Sequence, residues 1–155
     1  MAEETRDSLW DKTYQIAVVV RDIEQATEFY EDLGIGPFVE GPSAHSMWRR
    51  VYGELEPDAK LLGRITQMGP IEFELMQPVR GKTIQSEFLD KHGEGVIHIC
   101  AYTDDLDRDA ALMKEKGFPA ISEAEFDDGG KFAYFDTRAV GGLILELFQP
   151  GDKWQ

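Results

Sequence analysis

Between Tyr14 and Val20 the chain reads "YQIAVVV", an apolar run with period two. After Asp22 the period changes, with Ile23, Ala26, Phe29, Tyr30 and Leu33 recurring every three or four positions. The first pattern predicts a strand and the second a helix that buries those five side chains. Asp22 is the expected N-cap, Gln25 sits at the capping-box position, and Gly34 stops the helix. The same grammar returns later. "IHICAYTDDLDRDAALMKEKGF" (97 to 118) lies over "YQIAVVVRDIEQATEFYEDLGI" (14 to 35) without a gap, with Asp105 as cap, Leu106, Ala110 and Met113 on the buried face, and Gly117 as stop.

Each helix is followed by room for two strands, "SMWRRVYG" (46 to 53) and "AKLLGRITQ" (59 to 67) in the first copy. The second copy offers "AISEAEF" (120 to 126) and "KFAYFDT" (131 to 137), with "DDGG" between them as a turn. A near-identical pentapeptide closes each copy, "ELMQP" (74 to 78) and "ELFQP" (146 to 150). Two β-α-β-β-β modules therefore follow one another, about 12–78 and about 96–150, joined by a linker, 79–95, whose middle reads as a short helix. Neither copy buries enough surface to be comfortable alone, so the expectation is a single α+β domain over 1–155, with the copies related by a pseudo-twofold axis.

Strand alternation turns this symmetry into chemistry. Gln15 faces away from the apolar set Ile16, Val18 and Val20, and His98 occupies the equivalent place in the second copy, beside Cys100 and Tyr102. Glu74 and Glu146 are equivalent through the pentapeptides. A carboxylate in a strand of Ile, Leu and Phe is costly to bury unless it is paired or holds a cation. An imidazole, an amide oxygen and two carboxylates form an N/O set for one divalent ion such as zinc, nickel, cobalt, manganese or iron. Such an ion can stabilise an enolate while Glu146 or Glu74 carries a proton. Glu72 shares the face of Glu74 and is a further acid/base candidate. Alternation also puts Trp48, Arg50 and Tyr52 on one face, and Met76, Ile144 and Phe148 beside the ligands. The expected cup is apolar and aromatic, with Arg50 as the candidate for holding an anionic or carbonyl oxygen, and its substrate is a bulky, largely apolar carbonyl compound rather than a small polar acid. Cys100 reads as small core filler.

The formal net charge of -14 makes nucleic acid and anionic membranes poor partners. Arg49, Arg50, Lys60 and Arg64 form the one local basic cluster, a candidate for an anionic substrate group. No run of about 18 apolar residues exists, and the acidic start of the chain shows no leader. A single cysteine agrees with a reducing compartment, so a cytoplasmic protein is expected.

Taken together, "VVVRDIEQATEFYEDLGIGPF", "GEGVIHICAYTDDLD", "GGKFAYFDT" and "GGLILELFQP" resemble signature segments of the vicinal oxygen chelate superfamily, most closely its methylmalonyl-CoA epimerase branch. The resemblance runs from about Tyr14 to Pro150. It implies an eight-stranded, U-shaped mixed sheet around one metal, with ligands at Gln15, Glu74, His98 and Glu146. It also implies isomerase or epimerase chemistry through a metal-stabilised enolate on a carbonyl or thioester substrate, and a homodimer. The ligand identities Gln, Glu, His, Glu resemble instead those of eukaryotic-type lactoylglutathione lyases, so hemithioacetal isomerisation is the alternative. A metal-free protein that sequesters a small molecule is the third reading, and it has no need of the quartet.

Overall fold

In this computed structural model residues 8–152 are described; the first seven residues of the acidic start lie outside them, as do 153–155. The first copy supplies strand β1 (Thr13–Val19), helix α1 (Ile23–Asp32), β2 (Val39–Glu40), a 3-10 turn (Pro42–His45), β3 (Ser46–Val51), β4 (Glu54–Leu55), β5 (Lys60–Met68) and β6 (Ile71–Arg80). Helix α2 (Ile84–His92) fills the linker. The second copy supplies β7 (Gly95–Tyr102), α3 (Leu106–Glu115), β8 (Ala120–Phe126), β9 (Lys131–Phe135) and β10 (Ile144–Gln149).

The sheet has ten strands where eight were expected, in the order β2-β5-β6-β1-β7-β10-β9-β8-β3-β4. Its centre follows the repeat. β1 pairs antiparallel with β7, and each lies parallel to the last strand of its own copy, β6 or β10. The two additional strands are two-residue edge pieces, β2 on β5 and β4 on β3.

The larger departure is β3. The repeat predicts it beside β5, but it pairs with β8 of the second copy, Arg49 opposite Ala124. The chain first adds β2 to β5 and hydrogen-bonds Gly41 N–H to the Gly63 carbonyl at 2.9 Å. It then turns through Pro42–His45 and continues as β3 along β8, so one continuous segment bridges the two outer edges of the sheet and covers the mouth of the U. Close approach makes this crossing possible: a Cβ on Gly63 would lie 2.0 Å from Ser43 Oγ.

Both helices start as the sequence predicts, Asp22 accepting from Gln25 N–H and Asp105 from Arg108 N–H. The glutamines of the two pentapeptides complete the caps. Gln77 Oε1 accepts from Ile23 N–H at 2.8 Å and Gln149 Oε1 from Leu106 N–H at 2.9 Å, each meeting a backbone donor that the helix start leaves unpaired. Gln follows Glu at an odd offset, three positions on, in each motif, so the glutamate faces the cup while the glutamine faces the helix. One correction falls on α1: Phe29 and Leu33, expected on its buried face, are 61% and 64% exposed, because the helix leans on the sheet through Ile23 and Thr27 instead. Among the described residues no helix is long and apolar enough to cross a membrane.

Candidate active site

Four side chains from four strands meet inside the curled sheet. His98 Nε2 lies 2.7 Å from Glu146 Oε2, 3.0 Å from Gln15 Oε1 and 3.6 Å from Glu74 Oε2. All four residues are buried, His98 completely. The strands place them so because β1 and β7 pair with Ala17 opposite His98 and Gln15 opposite Cys100, while the parallel neighbours set Glu74 beside Ala17 and Glu146 beside Cys100. Those are the same relations in both copies. Gln15 donates its amide to Glu72 Oε1 at 2.7 Å, which turns the amide oxygen toward His98. Ser43, from the crossing turn, donates to Glu74 Oε1 at 3.2 Å.

Electrostatics follow from this packing. His98 Nε2 faces three oxygens that only accept, so it carries a proton. Burial works against the charged imidazole, but the adjacent Glu146 and Glu74 carboxylates outweigh it and raise the His98 pKa to about 9. Burial is also the main cause that raises the Glu72 carboxyl; Glu74 and Glu146 add to it, and the Gln15 hydrogen bond opposes. The buried Cys100 thiol is pushed far up, chiefly by burial, as suits an inert core residue.

The chemistry of the donors fits one divalent ion. Ligands bonded at about 2.1 Å stand roughly 3 Å from one another, which matches the separations around His98 Nε2. The residual cavity, about 20 Å³ and lined by Gln15, Glu74 and Glu146 with Tyr14 and Tyr134, is the size of a single water or ion. The side chains are drawn onto the His98 proton by hydrogen bonds, and among the described residues no three of His, Cys, Asp and Glu are already spread as a metal-holding group.

The cup wall differs from the expected one along β3. The register shifts between Ser46 and Trp48, and it is Arg49 and Val51 that face inward. Trp48 and Arg50 lie on the outside, Arg50 stacked over the Trp48 ring at 4.9 Å and Trp48 Nε1 on Glu125 at 3.3 Å. Tyr52 belongs to the turn after β3, where its hydroxyl donates to Glu87 at 2.9 Å. Arg64 ties β5 to Glu24 and Thr27 of α1, so the basic cluster of the sequence is divided between two surfaces. Trp48→Ala is accordingly expected to change KM by less than about twofold, the behaviour of a surface substitution; a tenfold rise in KM would return Trp48 to the cup.

Met76, Phe148, Phe132 and Tyr134 line the cavity, and Ile144 joins the same buried cluster. Tyr102 stacks on Tyr14 with ring centroids 3.6 Å apart. Tyr14 also lines the cavity; strict alternation sets it with Ile16, away from Gln15, and a slip in the β1–β7 pairing between Thr13 and Gln15 breaks that alternation. Gln85 was missed as well: from α2 it donates to the Tyr134 hydroxyl at 2.8 Å. A more voluminous depression, about 730 Å³, lies over α1 and the ends of β1 and β7, and none of the four donors lines it.

A model of the Glyoxalase/Bleomycin resistance protein/Dioxygenase superfamily matches residues 14–135, a span that holds Gln15, Glu74 and His98 but ends before Glu146. The mitochondrial methylmalonyl-CoA epimerase of Mus musculus is 27% identical over 137 residues, 86% of this chain and 70% of that protein. The uncharacterised protein YqjC of Bacillus subtilis is 25% identical over 142 residues, 89% of this chain and 92% of that one. Among solved structures, methylmalonyl-CoA epimerase from Mycobacterium tuberculosis superposes with a TM-score of 0.68 at 19% identity, over 96% of this chain and 93% of that one. A methylmalonyl-CoA epimerase in complex with methylmalonyl-CoA and NH4+ gives 0.66 at 20% identity, over 91% and 95%.

Proposed function

We propose that this chain, which belongs to the glyoxalase/bleomycin resistance protein/dioxygenase superfamily, is an isomerase or epimerase that moves a proton on carbon next to a carbonyl or thioester, with a divalent ion held by Gln15, Glu74, His98 and Glu146. The observation that carries this reading is the convergence of three buried oxygen donors on His98 Nε2. The resemblance to epimerases of a CoA thioester in fold, and at 27% identity in sequence, supports the thioester class. An ion bound there supplies Lewis-acid polarisation of the substrate carbonyl, which acidifies the neighbouring carbon.

The chain's own groups then handle the proton. Glu74 and Glu146 come from equivalent strands of opposite copies, so they approach a bound carbon from two sides: Glu146 Oε2 takes a proton from one face and Glu74 returns one to the other. Glu72, with its raised carboxyl and its hydrogen bond from Gln15, is placed to exchange protons with that pair. The apolar wall of Met76, Phe132 and Phe148 keeps water from the carbanionic intermediate.

Loading of the ion should depend on pH through His98. With a folded pKa of about 9, Nε2 carries a proton at pH 7 that must leave before it can ligate. Apparent affinity should therefore rise with pH, by up to about tenfold per unit below the His98 pKa, and calorimetry in two buffers should count roughly one proton released per ion. Ion binding without proton release would remove His98 from the ligand set. The same proton stabilises the ion-free fold. Because the folded value lies above the ordinary imidazole range, that contribution is fully present below the unfolded pKa and is lost as pH rises through about 9.

The direct test is solvent-deuterium exchange. Metal-reconstituted protein is incubated in D2O with acyl-CoA thioesters, hemithioacetals and cyclic ketones. Label should enter the carbon next to the carbonyl of the true substrate class, without net redox change. Dioxygen consumed in step with turnover would refute the reading.

A further inference from the structure

Arg49 stands in the middle of β3, on the inward face and 3% exposed. Its guanidinium lies over the Phe132 ring, 5.2 Å from the centroid, and its Nε has no hydrogen-bond partner. Among the described residues no carboxylate forms an ion pair with it; Glu146 and Glu74 act on it only through space, across the cup. Arg64 and Arg138 are placed differently. Arg64 is tied to Glu24 and Thr27, and Arg138 to Asp136 and Glu87, all in more open surroundings. A guanidinium nitrogen buried without an acceptor is costly, and this guanidinium lies over Phe132, which lines the cavity beside the quartet.

We infer that Arg49 is an anion receptor in the wall of the cup, completed by a carboxylate of the ligand. The carbon acid handled by the quartet then carries its own carboxylate, and Arg49 selects for it over neutral ketones and esters. A planar carboxylate matches the guanidinium fork, whereas a phosphate dianion would bring more negative charge toward Glu74 and Glu146. This differs from the bulky, largely apolar carbonyl compound and the Arg50 anchor expected from the sequence. Entry requires the Pro42–His45 turn to move aside, since the cavity beneath it holds only about 20 Å³. The identity of the ligand as a carbon acid rests on the proton-transfer reading; the anion receptor does not.

The test is calorimetry on full-length, metal-reconstituted protein, with malonate as probe and malonamide and inorganic phosphate as comparisons. Malonate should bind, and malonamide should bind at least about tenfold more weakly. Arg49→Gln should weaken malonate by about tenfold to a hundredfold, and Arg49→Lys should recover part of the loss. Metal content should stay constant, and the melting temperature should not fall, because the variant removes a buried unpaired cation. Malonate affinity unchanged in Arg49→Gln would overturn the proposal by showing that malonate binds the ion alone. Malonamide or phosphate binding as tightly as malonate to the unmodified protein would overturn it without any variant. A melting temperature lowered in both variants, with normal malonate affinity of the folded protein, would mean that Arg49 serves packing only. Failure of every substrate to exchange deuterium would instead sink the proposed activity and leave these binding arms intact.

Discussion

Glu146→Gln is expected to lower affinity for a divalent ion by about a hundredfold or more and to slow proton exchange by about a hundredfold to ten-thousandfold. The substitution keeps the shape of the side chain, so the loss reads charge and basicity and not packing. Glu146 Oε2 makes the shortest contact with His98 Nε2, 2.7 Å, and is the one carboxylate of a strand that reads ILELFQ, so no neighbouring carboxylate on β10 can replace it. Elemental analysis after dialysis and deuterium wash-in on the same preparation separate the two roles. Stoichiometric ion with lost exchange would make Glu146 a proton carrier alone. Both properties retained would remove it from the site.

His98→Ala should be the most destabilising single change in the ion-free protein. Glu74 and Glu146 are 4% and 7% exposed and share His98 as a donor. Removing one member of a buried ion pair costs about 3–5 kcal/mol, which for a chain of this size lowers the melting temperature by about 10 °C. The sign of the pH dependence is fixed by the same physics. In the variant the stabilisation supplied by protonated His98 is gone, so the deficit should be full below the unfolded imidazole pKa and shrink as pH rises through about 9. Thermal melts below the unfolded imidazole pKa and above about pH 9, after chelation, check this. Equal losses at both, or none, would mean that His98 is not the counter-charge of the glutamates.

Local periodicity made the quartet legible. Gln15 and His98, then Glu74 and Glu146, fall at matching positions of a repeated strand-helix design, and a period of two is enough to put all four on one face. The helix caps were legible for the same reason, since Asp22 and Asp105 act within three residues of themselves. Arg49 was not. Its inward orientation depends on the pairing of β3 with β8, a contact between distant segments, and on a register shift near Met47 that reverses the parity of "SMWRRVYG". Tyr14 was hidden by a similar slip. Gln85 was hidden because its partners Tyr134 and Met76 are brought together only by the closed sheet. Local pattern thus located the polar centre, and long-range pairing decided what walls it in.

The crossing of β3 also bears on the order in which the chain can fold. A nascent chain that has released everything up to β6 has a β3 without its partner, because β8 is still unmade, and a first copy whose sheet lacks the strand that its sequence repeat supplies. Completion of either half waits for the other, a non-local contact that slows folding relative to two hairpin-like units closing separately. Division of the gene at the linker would yield two pieces with unmatched edges, β8 bare on one and β3 loose on the other. Such fragments would have to recover the native sheet by reassociation, through β1 on β7 and β3 on β8 together.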